Sequence, residues 1–436
     1  MTLLDLTPRP APDALAGLPV AVIGAGPVGL AAAAELLERG VDVVVYEAGE
    51  SVAHAVRQWG HTRLFSPWRF LIGPAARRLL EGGGWVMPAP DRVPTGAELV
   101  RDYLAPLGAA EAIRRVVRTR TRVESVAREG MDRTRTAGRA AAPFVLRVHG
   151  VDGLAEDVLA RAVIDASGTF GTPNPLGANG LPPLGLPEAS DRVTGALPDV
   201  LGRDRSRFAG RRTTVVGAGH SAANTLLALL ALAEEEPETR VAWLIRTDRA
   251  TRVASSPDDE LADRARLGAG LDAAVRAGRL SMIDGFRIAR VESAGGGLRL
   301  VGTRRGAEAT HETDVVVNAT GFRPDLGMLR EIRLDLDDIV EAPKRLAPLI
   351  DPNEHSCGTV APHGFRELAH PEPGFFIVGM KSYGRAPTFL LATGYEQVRS
   401  IAAYLSGDLA AAGAVALTLP ATGVCSTDAV AGGCCA

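Results

Sequence analysis

At 436 residues, 46% of them hydrophobic, the chain is long enough for two or three packed domains and too long for one ordinary core. A formal charge of -3, with no basic run interleaved with aromatics, argues against nucleic acid as a partner. The longest leucine-rich run, Leu226 to Ala233, stops at Glu234 and is too short to span a bilayer, so no membrane partner is expected either.

Residues 1–17 carry Asp5, Arg9, Asp13 and prolines where an export signal would have an apolar stretch; they read as a loose arm, and a cytoplasmic protein is the expectation. The run Val20-Ala-Val-Ile then breaks into Gly24-Ala-Gly26-Pro-Val-Gly29 and continues as an alanine-rich helical pattern. This predicts strand, phosphate turn and helix. Gly24 permits the tight turn, Gly26 lets backbone approach a pyrophosphate, and Gly29 allows close helix packing, with the pyrophosphate on the helix N-terminus. A second apolar run ends at Glu47, roughly 20 residues further on, where a ribose hydroxyl needs an acceptor.

Between Ser51 and Trp68 the pattern turns irregular and concentrates Trp59, His61, Arg63, Phe65 and Trp68, followed by Arg69. Flat rings and cations of this kind suit a cofactor ring or an anionic group, and a hydrophobic loop folded over the sheet is the alternative. A helix is expected near Pro94 to Leu107. Short alternating strands follow at Arg120 to Val126 and Phe144 to Val148, around an Arg- and Gly-containing loop expected to be solvated. The run Ala162 to Asp165 reads as a further strand of the first sheet, ending in the small residues Ala166-Ser-Gly168, which admit a bound group closely.

A Pro- and Gly-rich segment from Gly171 marks a domain boundary. Past it, Arg212 to Val216 leads into Gly217-Ala-Gly219-His220-Ser221-Ala222, a second phosphate turn in which Ala222 takes the third glycine position. The strand after its helix ends in Arg246 instead of an acid, and a guanidinium there suits a 2′-phosphate, favouring NADPH over NADH. Asp314 to Ala319-Thr320-Gly321 mirrors the ending at Ala166 to Gly168, so the two halves read as related folds. Gly374 to Lys381 reads as a buried strand and Thr388 to Leu405 as a helix, both returning to the first domain.

The chain has four cysteines. Cys357 stands between His355 and His363, which would lower its pKa if they fold beside it; an inert buried thiol is the other reading. Cys425, Cys434 and Cys435 lie in a small-residue stretch expected to be a flexible tail, where soft thiolates suit a trivalent arsenic species or another thiophilic metal.

The order of these parts resembles the two-dinucleotide-binding-domain flavoproteins, which include flavin-containing monooxygenases and pyridine nucleotide-disulfide oxidoreductases. The stretches Trp59 to Trp68 and Lys381 to Phe389 are similar to bacterial FAD-dependent oxidoreductases associated with arsenic resistance. The resemblance implies an α/β fold of two Rossmann-like domains, the NADPH domain inserted into a discontinuous FAD domain. The expected segments are an arm at 1–17, FAD domain at 18–175 and 326–405, NADPH domain at 200–325, and tail at 406–436. FAD would be held by Gly24, Gly26, Gly29, Glu47, Trp59, Val123, Ala166, Gly168 and Gly379. NADPH would be held by Gly217, Gly219, His220, Ser221, Ala222, Arg246 and Thr320. Hydride would pass from nicotinamide to flavin, with His61, Arg63 and Cys357 as candidate catalytic residues.

Two departures bear on the reaction. Neither dinucleotide region contains the cysteine pair of a disulfide oxidoreductase, and Asp191 to Pro198 does not match the flavin-monooxygenase fingerprint that precedes the second turn. Phe208-Ala-Gly210-Arg-Arg does look monooxygenase-like and keeps that class ahead. The expectation is therefore an FAD- and NADPH-dependent, monooxygenase-like oxidoreductase acting on a small substrate, an arsenical among the candidates. Two alternatives stay open: a metalloid or thiol reductase using the C-terminal cysteines, and a non-catalytic soft-metal-binding flavoprotein. A homodimer is also left open.

Overall fold

The structure, a computed structural model, describes residues 15, 17–248, 262–351, 362–386 and 389–417. Its chain divides into a first unit, described up to residue 171 and again from 323 onward, and a second unit spanning 172–322. The stretch 176–199, which the expected segments leave unassigned, belongs to the second unit.

In the first unit a parallel sheet has the order β16-β7-β1-β2-β3, formed by Phe375–Ile377 (β16), Ala162–Asp165 (β7), Val20–Ile23 (β1), Val43–Tyr46 (β2) and Val117–Arg118 (β3). The helix Pro27–Glu38 (α1) makes the crossover from β1 to β2. An antiparallel sheet of Arg122–Arg128 (β4), Phe144–His149 (β5) and Ala155–Ala160 (β6) precedes β7 in the chain. The central parallel strands are largely apolar because both faces are covered, whereas the edge strand β3 ends in the exposed Arg118. Val20 and Val22 face a helical core with α1 and the helix Leu391–Leu405 (α3), while Ala21 and Ile23 face Val126, Phe144 and Leu146 of the antiparallel sheet.

The second unit repeats this plan. Its parallel sheet runs β11-β10-β9-β15-β8, from Ser281–Ile283 (β11), Arg240–Leu244 (β10), Arg212–Val216 (β9), Val315–Asn318 (β15) and Val193–Thr194 (β8). The helix His220–Glu235 (α2) joins β9 to β10, and Phe286–Ala294 (β12), Gly297–Arg304 (β13) and Ala307–Thr313 (β14) form the antiparallel sheet. In each unit the fifth strand lies beside the strand that follows the antiparallel sheet. The stretch read as one strand from Gly374 to Lys381 is shorter than expected: β16 ends at Ile377, and Gly379–Tyr383 forms a 3-10 turn.

Three other readings change. The expected helix near Pro94 is built from Gly96–Leu99, a π turn at Val100–Leu104 and Ala105–Ala109, started by a capping box between Thr95 and Glu98. The loop between β4 and β5 is not wholly solvated, because Arg139 within it is buried against Glu372 together with Arg128. Of the tail read from 406 onward, Leu409–Gly413 (α4) is a helix capped by Asp408, with Ala412 buried in the core that α3 also enters. No helix among the described residues is long and apolar enough to cross a membrane.

Burial also leaves a pH signature. His370 is buried, its Nδ1 accepting from the Asp335 N–H at 3.2 Å, and burial pushes its pKa from 6.5 down to about 4. The unfolded chain therefore binds a proton that the folded chain refuses. Stability from this group is fully present above pH 6.5 and falls by about 3 kcal/mol as the pH drops towards 4. Urea unfolding of wild type and His370→Gln across that range should show a shallower acid loss in the variant, and parallel curves would contradict it.

Candidate functional site

Both parallel sheets reverse their winding between the strand that enters the glycine turn and the strand that follows the antiparallel sheet: β1 and β7 in the first unit, β9 and β15 in the second. Ligands of open α/β sheets bind beyond the strand ends at such a switch point. The glycines show why the turns are built as they are.

Gly24 has φ +97, and a Cβ there would stand 2.8 Å from the Ala166 carbonyl oxygen; one on Gly29 would collide with the Gly24 carbonyl oxygen. These two serve the packing of β1, β7 and α1. Gly26 is different: its backbone is extended, and nothing lies within 4 Å of where its Cβ would be. It caps α1 with no side-chain hydrogen bond, leaving the first-turn N–H groups to an anion.

The second turn matches. A Cβ on Gly217 (φ +138) would collide with the Ala319 carbonyl oxygen, whereas Gly219 faces open space and caps α2 without a side-chain hydrogen bond. Ala222, at the third position, is fully buried in the core beneath α2, so a Cβ is accommodated there as it is not at Gly29. The open cradles at Gly26 and Gly219 are what a pyrophosphate requires, and the residues present fit a dinucleotide at each turn.

Glu47 is half-buried beyond β2, where its carboxylate accepts from the backbone N–H of Ala25 at 2.8 Å and of Gly49 at 2.7 Å. It closes the glycine turn and keeps further lone pairs for a ribose hydroxyl. Gly168, with φ +71, also faces open space, beside the partly buried Ala166. Val123 packs its side chain into the core on β4, at a register shift between it and Ser125. Gly379, with φ +68, lies against Val28 of α1, and its N–H donates to the buried Gln397 Oε1 at 2.8 Å.

In the second unit Arg246 is exposed just past β10, with no partner among the described residues. His220 and Ser221 open α2, their carbonyls accepting from Asn224 and Thr225. Thr320 is tied inward: its hydroxyl shares its one proton between Asn318 Oδ1 at 2.7 Å and the Asn174 carbonyl at 3.0 Å. That contact joins the two stretches at the unit's ends, where Pro173 also bridges Phe322.

The aromatic loop packs largely inward. Trp68 is fully buried and Trp59 covers Gly96, while His61 and Arg63 are exposed, Arg63 donating to the Val93 carbonyl at 2.8 Å. Arg69 is also exposed and pairs with Asp91. Cys357, Cys425, Cys434 and Cys435 lie outside the described residues. Among the described residues no group of His, Cys, Asp and Glu is arranged to hold a metal.

The sequence reading missed a buried polar cluster between β7 and β16. Lys381 Nζ donates to Asp165 Oδ2 at 2.7 Å and to Ser167 Oγ at 3.1 Å, with lysine and aspartate side chains at 0% exposure. Beside it Gln397 donates to His363 Nε2 and to Ser382 Oγ, both at 2.9 Å. Asp165 ends an apolar strand and Lys381 follows another, so a buried pair across 216 residues left no local signal.

Residues 148–357 match a family model described as pyridine nucleotide-disulphide oxidoreductase, and residues 22–79 one described as an NAD(P)-binding Rossmann-like domain. No curated protein matches the chain. Among solved structures, the chain is 22% identical to a bacillithiol disulfide reductase from Bacillus cereus, with a TM-score of 0.64 over 89% of this chain and 99% of that one. A flavin monooxygenase from Stenotrophomonas maltophilia, solved as a double mutant, is 26% identical with a TM-score of 0.55 over 89% and 98%. An FAD-bound cadaverine monooxygenase of desferrioxamine biosynthesis from Erwinia amylovora is 13% identical with a TM-score of 0.61 over 93% and 99%.

The two kinds of glycine should separate on mutation. Gly26→Val should leave the melting temperature within a few degrees, since it meets no atom, yet abolish FAD uptake; Gly29→Ala should lower stability by about 1–3 kcal/mol or more. Thermal unfolding of the apoproteins with FAD titration checks both, and normal FAD uptake by Gly26→Val would remove the cradle assignment. The repeated open turns, the two family matches and the solved neighbours make the chain an oxidoreductase of the two-dinucleotide-domain flavoprotein fold, its turns fitted to FAD and NAD(P)H.

Proposed function

We propose that the chain is an NADPH-dependent FAD oxidoreductase of the flavin-monooxygenase type, acting on a small substrate. The carrying observation is one open phosphate turn in each unit of a chain whose four cysteines all lie at 357 or beyond 424. Dithiol chemistry needs a cysteine pair beside one of the turns, and residues 15–248 contain none. The 26% identity to a flavin monooxygenase supports the same choice.

FAD, when bound, supplies hydride acceptance and oxygen activation, the chemistry that protein side chains cannot perform. The chain's own residues bind and orient. Gly26 and the N-terminus of α1 take the first pyrophosphate, Glu47 takes a ribose hydroxyl while holding the turn closed, and Gly219 and the N-terminus of α2 take the second pyrophosphate. Arg246, exposed and without a partner among the described residues, is the guanidinium for the 2′-phosphate, and His220 stands at the mouth of the second turn. His61 and Arg63, exposed on the loop beyond the first turn, are the groups assigned to an anionic substrate.

An arsenical is the first substrate class to test, because Cys425, Cys434 and Cys435 group three soft thiols in one short stretch. The same thiols carry the second reading, a metalloid or thiol reductase. An anaerobic titration with NADPH, followed by air with and without inorganic and methylated arsenicals, separates the two. Reoxidation needing oxygen and arsenical together marks a monooxygenase; reoxidation by arsenical alone marks a reductase; no response to any arsenical removes that substrate class. In the same assay Arg246→Ala should raise the KM for NADPH about 10-fold and leave that for NADH nearly unchanged, as the loss of one charged hydrogen-bonded contact implies. Equal effects on both nucleotides would remove the 2′-phosphate assignment.

A further inference from the structure

The internal repeat supplies a control for the buried cluster at the first site. At the end of β7, Asp165 Oδ1 accepts from the Ser167 N–H at 3.1 Å and from its hydroxyl at 2.6 Å. At the end of β15, the equivalent strand, Asn318 Oδ1 accepts from the Thr320 N–H at 3.3 Å and from its hydroxyl at 2.7 Å. The backbone turn is the same, and a neutral amide makes it.

The second unit needs no charge there, since Asn318 Nδ2 donates to the Asn174 carbonyl at 2.8 Å. The first unit instead buries an aspartate and pairs it with Lys381, both at 0% side-chain exposure. Burying two charges carries a desolvation cost that their attraction barely recovers, so such a pair is weak evidence for added stability. What the pair does is fix geometry. Asp165 is in register with Ile23 on one side and Ile377 on the other, next to the Ala166 carbonyl that presses on Gly24. Lys381 sits in the 3-10 turn that begins at Gly379, which lies against Val28 of α1.

We propose that the Lys381–Asp165–Ser167 cluster positions the first dinucleotide, locking the small-residue end of β7 and the turn after β16 at the spacing FAD requires. This rests on the reading of the first turn as an FAD site. Lys381 is fully enclosed, so it is a positioning residue that acts through Asp165, Ser167 and its own turn.

The test is FAD affinity of the full-length apoprotein, measured beside its melting temperature and the visible circular dichroism of bound FAD. Lys381→Met alone leaves a buried carboxylate unpaired and should lower both stability and affinity. The double variant Lys381→Met/Asp165→Asn removes both charges and keeps the strand-end turn of the second unit, without the carbonyl that meets Asn318 Nδ2 there. It should recover part of the melting temperature lost in Lys381→Met while binding FAD about 10-fold more weakly than wild type, with an altered dichroism. Ser167→Ala, which strands no charge, should weaken FAD several-fold at an unchanged melting temperature. Wild-type affinity and dichroism in either of these two variants overturn the proposal and leave the FAD site standing. A wild-type chain that does not take up FAD overturns the site reading and this proposal with it.

Discussion

The structure depends on one close approach made twice. At each switch point a glycine entering the phosphate turn lies against a carbonyl of the neighbouring parallel strand: Gly24 against Ala166, Gly217 against Ala319. Both glycines have positive φ, and neither contact leaves room for a Cβ. The pairing of β1 with β7 and of β9 with β15 therefore sets where each turn sits, and each turn sets the start of its helix. Gly26 and Gly219 come one step later, with open space before them. Packing builds the cradle, and the vacant glycine positions admit what it holds.

A second constraint is the handling of buried charge. Glu372 has 0% side-chain exposure, and Arg128 and Arg139 both donate to it. The second guanidinium would be a surplus buried cation, and backbone carbonyls meet it: Arg139 donates to Asp132 and Glu331, and Arg128 to Ala142. Such a network is costly when half made and rigid when complete. It fastens the loop between β4 and β5 to the returning chain just before β16, and so fixes the edge of the sheet on which the first site depends.

Much of this was legible in the residues. The two glycine turns, their helices, the strands that follow them and the likeness of the halves all rest on local patterns, since apolar runs interrupted by spaced glycines dictate the backbone they can form. Arg246 read as the end of a strand, and β10 stops before it, at Leu244. The aromatic loop was less legible. Its rings read either as offered to a cofactor or as folded over the sheet; Trp68 is sealed in the core and Trp59 packs on Gly96, a choice that composition does not make. Arg139 likewise read as solvated and is buried, its partner lying 233 residues away.

The sequence by itself determined the two phosphate turns and their order, because each is specified by neighbours within a few residues. Only the tertiary structure decided which carbonyls close off Gly24 and Gly217, how Glu47 closes the turn it was expected only to accompany, and that Asp165 meets Lys381. These depend on strands brought side by side from distant parts of the chain, and a buried pair of opposite charges leaves no periodicity behind. The aspartate and the asparagine stand at matching strand ends in the sequence, but the partners that make one a charged pair and the other a neutral bond come only from the fold.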